Sequence, residues 1–237
     1  MLSVIVPCYN EAENISIIVE KFTQAIPYNS NTEIILVDNG STDNSEQLIK
    51  IAVTNNPQYN LKLVSVKQNR GYGHGILAGL NAAIGTTLAW THADLQTEPS
   101  DVFRAYRVYK SINNSSTLVK GHRKNRKFSE LVFSFGMQII ASIMLKTWIT
   151  EINAQPKIFS HDFYIKHIKD NAPHDFSLDL YLLFQAKKHG KIKTIDVDFK
   201  KRIHGEAKGG GSLKTRIKLI SRTLYYIFTL TTKVGNK

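Results

Sequence analysis

The sequence predicts an α/β protein whose mostly parallel central sheet is flanked by helices. Apolar strand-like runs (Leu2–Pro7, Glu33–Asp38, Leu61–Val66 and the run that begins at Thr86) alternate with helix-period segments, the order of βαβ units. The first runs are apolar almost throughout, as strands buried on both faces are. Each gives way to polar loop residues at its carboxyl end, where open α/β sheets collect ligands. With 237 residues, 42% hydrophobic and 10% aromatic, the chain can build a real core, which excludes a disordered protein.

Leu2-Ser3-Val4-Ile5-Val6-Pro7 reads as a buried strand stopped by Pro7. Ile15, Ile18, Val19 and Phe22 then repeat at helical spacing. Glu11 and Glu13 suit the positive end of that helix. The second strand ends on Asp38, and Asn39–Ser45 turns the chain into a second helix through about Ala52. A third strand follows, and Gly71, Gly73, Gly75 and Gly79 punctuate a loop and helix. The fourth strand ends at His92-Ala93-Asp94-Leu95-Gln96-Thr97-Glu98-Pro99, where Pro99 blocks continuation. Asp94 and Gln96 offer hard oxygens of the kind Mg²⁺ or Mn²⁺ accepts while bridging phosphates. Taken alone, the same residues would equally close the strand with an Asx-turn. Asp38 and Asp94 would share one sheet edge, and Asp38 suits a ribose hydroxyl or base N–H.

Lys and Arg number 31 against 19 Asp and Glu, a net charge of +12. That surplus calls for an anionic partner: nucleic acid, a membrane surface or a phosphorylated ligand. No recognised nucleic-acid motif is present. The single cysteine, Cys8, excludes an internal disulfide and reads as a packed, inert thiol. The chain enters its first strand without a basic leader, and no uncharged apolar run reaches the ~20 residues of a membrane span. The expectation is a cytoplasmic protein.

Val4-Ile5-Val6-Pro7-Cys8-Tyr9-Asn10-Glu11, Val37-Asp38-Asn39-Gly40-Ser41-Thr42-Asp43 and Ala93-Asp94-Leu95-Gln96 resemble the signature segments of family 2 glycosyltransferases with the GT-A (Rossmann-like) fold. The resemblance is strongest to the dolichyl- or polyprenyl-phosphate sugar transferase branch. It implies one catalytic domain over residues 1–211, with about 1–112 binding the nucleotide sugar and 113–211 facing the acceptor. It also implies that Pro7, Tyr9, Glu11, Asp38 and Ala93 line the donor pocket and that Asp94 and Gln96 hold a divalent metal, Mg or Mn. The family usually has an acidic residue where this chain has His92. Histidine can ligate Mn²⁺, or touch phosphates when protonated; alternatively the loop needs only Asp94.

A helix is expected over Phe103–Ile112 and a strand over Thr117–Lys120. The block Gly121-His122-Arg123-Lys124-Asn125-Arg126-Lys127 then suits phosphate binding, since arginine forks match phosphate oxygens. In the resembling family, arginines here face the lipid phosphate, in places comparable to Arg123 and Arg126. An apolar stripe from Phe128 to Trp148 reads as core for its buried half and as a membrane-interface helix otherwise. Asn153 and Gln155, in Ile152–Phe159, resemble a motif beside the acceptor site. Asp179 falls in a segment where inverting relatives keep a catalytic base, although it could simply charge a helix start. A strand follows at Ile195–Phe199. Arg202-Ile203-His204-Gly205-Glu206-Ala207-Lys208 resembles the family's Arg-x-x-Gly-Glu-Ser-Lys loop, which makes Arg202 and Lys208 diphosphate clamps. Residues 212–237 carry cations around an apolar stripe, a basic amphipathic helix suited to a membrane surface.

The implied activity is inverting transfer of a sugar from a nucleotide-diphosphate sugar to a polyprenyl phosphate, in cell-envelope glycan biosynthesis, by a protein peripheral on the cytoplasmic membrane face. Two alternatives stand beside it: extension of a glycan with Asp179 as base, and a non-catalytic nucleotide- or nucleic-acid-binding protein.

Overall fold

In the computed structural model, residues 1–124, 139, 142–143, 147–202, 221, 225–226 and 228 are described. Arg126, Lys208, the boundary at 211, and most of the 128–148 and 212–237 helices lie outside the described residues. Seven strands form one sheet: β1 (Leu2–Cys8), β2 (Thr32–Asp38), β3 (Leu61–Ser65), β4 (Thr87–Trp90), β5 (Thr117–Lys124), β6 (Lys157–Ser160) and β7 (Lys191–Asp198). Their order is β3-β2-β1-β4-β6-β5-β7. Among the described residues only β6 is antiparallel to its neighbours, β4 and β5. The expected mostly parallel α/β sheet is present.

The helices are α1 (Ala12–Ala25), α2 (Ser45–Asn55), α3 (Tyr72–Ala82), α4 (Pro99–Ile112), α5 (His161–His167) and α6 (Ser177–His189). They cover both faces of the sheet. Along β1, Leu2, Val4, Val6 and Cys8 pack with α1, α2 and α4 residues such as Phe22, Ile49 and Val102. Ile5 points the other way, into a cluster with Ile76 and Leu80 of α3 and Leu180 and Leu183 of α6. This is the two-residue alternation of a strand buried on both sides. Cys8 is buried and reduced.

Two boundaries differ from expectation. Pro7 does not stop β1: it sits inside the strand, in register with Val37. Pairing with β4 ends at Ile5, so proline's missing N–H removes no bond on that side. The strand expected to end at Lys120 runs on through Gly121–Lys124, because β7 pairs with β5 as far as Lys124. Lys124 and Asp196 of β7 form an ion pair at 2.7 Å.

Helix α3 lies unusually close to the sheet. A Cβ at Gly79 would come within 2.5 Å of Ile5 Cγ2 and 2.8 Å of Val37 Cγ2. This seat aims the amino end of α3 at the carboxyl ends of the strands. Gly71, just ahead of the helix, has φ of +120°, a conformation that favours glycine.

The sheet interior also carries an unforeseen cation. Lys120 on β5 is 2% exposed. Its Nζ donates to the carbonyls of Thr150 at 2.7 Å and Glu151 at 2.9 Å. Burial and the nearby Lys157 pull its pKa down to about 7. Between that value and the ordinary lysine value the unfolded chain holds more protons than the native one, so native stability rises with pH. The unfolding free energy of the native chain minus that of Lys120→Met should therefore grow by roughly 3–4 kcal/mol between about pH 7 and pH 10. Chemical denaturation across that range measures it, and a difference independent of pH would contradict a buried, depressed ammonium.

Candidate active site

The carboxyl ends of β1, β2 and β4 meet in a cleft of about 300 Å³. One wall is Pro7, Cys8, Tyr9 and Glu11, from the end of β1. A second is Asn69, Gly71 and Tyr72, where α3 begins. His92, Ala93 and Asp94, just past β4, form the floor, and Phe176 and Arg202 close the far side.

Two turns clamp each other behind the first wall. Asn10, at a left-handed φ of 52°, accepts from the Thr42 N–H at 2.8 Å. The Glu11 N–H donates to Ser45 Oγ at 2.8 Å. The first and second strand ends are thereby held in register. Asp38 is 3% exposed; its Oδ2 accepts from the Ser41 N–H at 3.3 Å, while its Oδ1 is buried without a partner. Asp38 sits behind the cleft, and its neighbour Asn39 forms the wall. An orphaned carboxylate oxygen at that position is a ready acceptor for a ligand N–H or O–H.

Asp94 divides its two oxygens between two tasks. Oδ1 accepts from the Gln96 N–H at 3.1 Å, an Asx-turn made possible by Leu95 at φ 55°. Oδ2 accepts from Arg202 at 2.8 Å and lies 3.7 Å from His92 Nδ1. Burial works to raise the Asp94 pKa, but His92 and Arg202 outweigh it and hold the carboxyl below its usual range. Turn and charged cluster therefore coexist on one side chain.

Gln96 is placed differently from the expected metal ligand. It does not line the cleft. Its Nε2 donates to the Lys200 carbonyl at 3.2 Å, and the Lys200 N–H returns a bond to the Gln96 carbonyl at 2.8 Å. Lys200 also pairs with Glu98 at 2.6 Å. Gln96 thus clips down the segment that delivers Arg202. Asp94 and His92 remain as an oxygen and a nitrogen donor facing one cleft. A hard divalent ion that keeps waters and phosphate oxygens fits such a short protein set. Among the described residues, no group of three His, Cys, Asp or Glu side chains is arranged to hold a metal.

The expected base, Asp179, lies under the cleft. It is 1% exposed and forms an ion pair with Lys157 of β6, itself 0% exposed. Gln155 Nε2 donates to Asp179 Oδ1 at 3.2 Å and to the Tyr72 hydroxyl at 3.4 Å. That hydroxyl is 3.1 Å from His92 Nε2. Burial and the Asp179 charge push the Tyr72 phenol well above its ordinary pKa, so it stays protonated. Of the acceptor residues expected from the sequence, Gln155 belongs to this network and Asn153 is exposed. Arg123 is held by Glu151 at 2.7 Å and lies over the Phe199 ring.

Asn39, Asn69, Tyr72, Phe176 and Lys157 went unnoticed in the sequence. The glycine run around Tyr72 was the available signal, because close packing there forces the adjacent side chain into the cleft.

A mostly parallel α/β sheet with a cleft at the carboxyl ends of its strands is the arrangement of the GT-A fold. The chain belongs to glycosyl transferase family 2, whose model matches residues 3–164. The undecaprenyl-phosphate 4-deoxy-4-formamido-L-arabinose transferase of Yersinia enterocolitica is 34% identical over 132 residues, covering 54% of this chain and 39% of that protein. The chain thus spans well under half the length of that relative. The protein of the same name from Pectobacterium carotovorum is 26% identical over 232 residues, covering 98% of this chain and 68% of its own. Glucosyl-3-phosphoglycerate synthase from Mycobacterium tuberculosis, solved with Mn²⁺, UDP and glucosyl-3-phosphoglycerate, shares the fold at a TM-score of 0.68. It is 16% identical, with 98% of this chain and 79% of that one covered.

A buried ion pair is costly to break from one side, because the surviving charge is left without a partner. Asp179→Asn should lower the unfolding free energy by roughly 3–5 kcal/mol. Lys157→Met with Asp179→Leu should recover most of that loss. Thermal and urea denaturation of both variants provide the check; a fully stable Asp179→Asn protein would remove the structural role given to the pair.

Proposed function

We propose that this chain transfers a sugar from a nucleotide-diphosphate sugar to the phosphate of a polyprenyl-type lipid. The observation that carries the acceptor assignment is the state of Asp179. A sugar hydroxyl would need a general base, but the carboxylate expected to serve is buried, paired with Lys157 and off the cleft wall. A phosphate acceptor is already an anion and needs none. Two relatives carrying the name of an undecaprenyl-phosphate transferase support the same class of acceptor.

Pro7 and Tyr9 would flank the nucleoside, and the orphaned Asp38 oxygen would take one of its N–H or O–H groups, with Asn39 alongside. Asp94 and His92 would hold a divalent ion, which supplies positive charge to the leaving diphosphate. Arg202, already 2.8 Å from Asp94, is placed to pair with diphosphate oxygens, joined by Lys208 from the loop beyond the described residues. The acceptor phosphate oxygen attacks the anomeric carbon as the bond to the diphosphate breaks, the nucleoside diphosphate leaves, and no proton has to move. Cations held in the cleft are worth most against charge developing there, away from bulk water. Arg126 and the unassigned stretch around it are proposed to receive the lipid phosphate.

No helix among the described residues is long and apolar enough to cross a membrane. Ile143 and Trp148 are 71% and 60% exposed. We place this face on the cytoplasmic side of the membrane, in contact with the bilayer that holds the acceptor.

A panel of UDP- and GDP-sugars with undecaprenyl phosphate and Mn²⁺ tests the assignment. Sugar should appear on the lipid from one donor, and Asp94→Ala should lower the rate at least 100-fold, as losing a main electrostatic contact does. Transfer only to glycan hydroxyls would replace the lipid acceptor and keep the enzyme class. Absence of turnover with every donor would end the catalytic reading.

A further inference from the structure

Among the described residues, Phe176 is the exposed large apolar side chain of the cleft. It is 40% exposed and lines the cavity together with Tyr72, His92 and Arg202. A lone apolar residue on an outer surface needs no explanation, whereas one fixed in a binding cleft does. We infer that Phe176 is the specificity-determining residue of a sugar subsite, an aromatic platform for the C–H face of the transferred sugar; this rests on the nucleotide-sugar reading proposed above.

The platform is held from one side. The rings of Phe176 and Tyr72 stack with centroids 5.0 Å apart and planes 7° from parallel. Tyr72 in turn meets the His92 ring edge-on at 5.8 Å, and its hydroxyl lies 3.1 Å from His92 Nε2 and 3.4 Å from Gln155 Nε2. Two glycines make the stack possible. A Cβ at Gly71 would meet the His174 carbonyl oxygen at 2.5 Å, and one at Gly73 would meet those of Pro173 and Asp175 at 2.6 and 2.7 Å. The His74 N–H donates to the same His174 carbonyl at 2.8 Å, and the Ser177 N–H to Asp175 Oδ1 at 2.9 Å. Residues 173–175 are therefore pressed onto the first turn of α3. Any side chain at either glycine would lift them and part the rings. Tyr72 covers one face of Phe176, and the ring keeps open surface for a ligand. A ring fixed in advance loses little freedom when a ligand settles on it.

Sheet order says which part of the donor reaches it. Along the carboxyl edge, β2, β1 and β4 lie side by side, and β6 follows β4. In the reading above, β2 and β1 supply Asp38, Pro7 and Tyr9 for the nucleoside, and the end of β4 supplies His92 and Asp94 for the diphosphate. Phe176 belongs to the next position. It stands three residues before Asp179, which pairs with Lys157 of β6, opposite Trp90 at the carboxyl end of β4. A donor laid along this edge from its base brings its sugar to Phe176. Sugar rings carry hydroxyls at their rim and C–H groups on their faces, and those hydrogens suit the negative face of an aromatic ring. An epimer that turned an axial hydroxyl onto Phe176 would bury it without a partner. The ring thus selects among sugars as well as binding one.

The test is calorimetric titration, in Mn²⁺, of UDP, GDP and the sugar nucleotides of each into the native chain, Phe176→Leu and Phe176→Tyr. Leucine keeps apolar bulk without an aromatic face; tyrosine keeps the ring. Phe176→Leu should weaken binding of the preferred sugar nucleotide about 3- to 10-fold. It should narrow the preference among sugars and leave affinity for the bare nucleoside diphosphate unchanged, and Phe176→Tyr should bind as the native chain does. An equal loss for the bare nucleoside diphosphate would assign the ring to the nucleotide or to the shape of the cleft, and would overturn the inference. So would unchanged sugar-nucleotide binding, whether or not the KM for undecaprenyl phosphate rises; a rise would give the ring to the lipid. If the native chain binds the bare nucleotides and none of their sugars, the sugar subsite fails alone. If it binds neither, the nucleotide-sugar reading itself fails and takes the inference with it.

Discussion

The ion pair between Lys157 and Asp179 is the interaction on which the site depends. Removing two charges from water costs several kcal/mol each, and their attraction repays this only when the remaining lone pairs are also satisfied. Gln155 donates to Asp179 and also reaches the Tyr72 hydroxyl, which draws α3, α6 and the segment before β6 to one point under the cleft. The pair therefore does more than neutralise itself. It anchors a polar line beneath the cleft, through Gln155 and Tyr72, and that line surfaces at His92.

The same pair connects fold to chemistry. A carboxylate committed to a buried ammonium cannot collect a proton from a sugar hydroxyl without stranding Lys157. The proposed chemistry consequently belongs to an acceptor that arrives charged. Positive groups in and around the cleft then serve two anions in turn, the donor diphosphate and the acceptor phosphate. Arg202 illustrates the economy: its guanidinium offsets Asp94 and is tethered, through the reciprocal Gln96–Lys200 bonds, to the turn that carries Asp94.

Much of this was legible in the sequence, and the reasons are physical. Buried parallel strands are apolar on both faces, so β1, β2 and β4 announced themselves, and their polar ends located Asp38, His92 and Asp94. Placement of long polar side chains was not legible, because it depends on contacts far apart in the chain. Gln96 looked like a ligand by spacing but turns toward Lys200, a residue 104 positions away. Asp179 looked like a base because an acidic residue at a helix start says nothing about what lies opposite. Its partner sits on β6, which runs antiparallel to both neighbours and whose position between β4 and β5 local pattern does not reveal. The burial of Lys120 and Lys157 was not read from the sequence, and only the sheet order shows them enclosed.

The pH dependence of transfer, compared between undecaprenyl phosphate and its phosphorothioate analogue, tests the central claim most directly. If the acceptor's own anion attacks, the rate should rise with pH along the acceptor's titration, near the second ionisation of a phosphate monoester at about 6. That limb should move to lower pH with the more acidic phosphorothioate. A limb that stays in place for both acceptors would mean that a protein group collects the proton, and would contradict the account of Asp179 and the cleft.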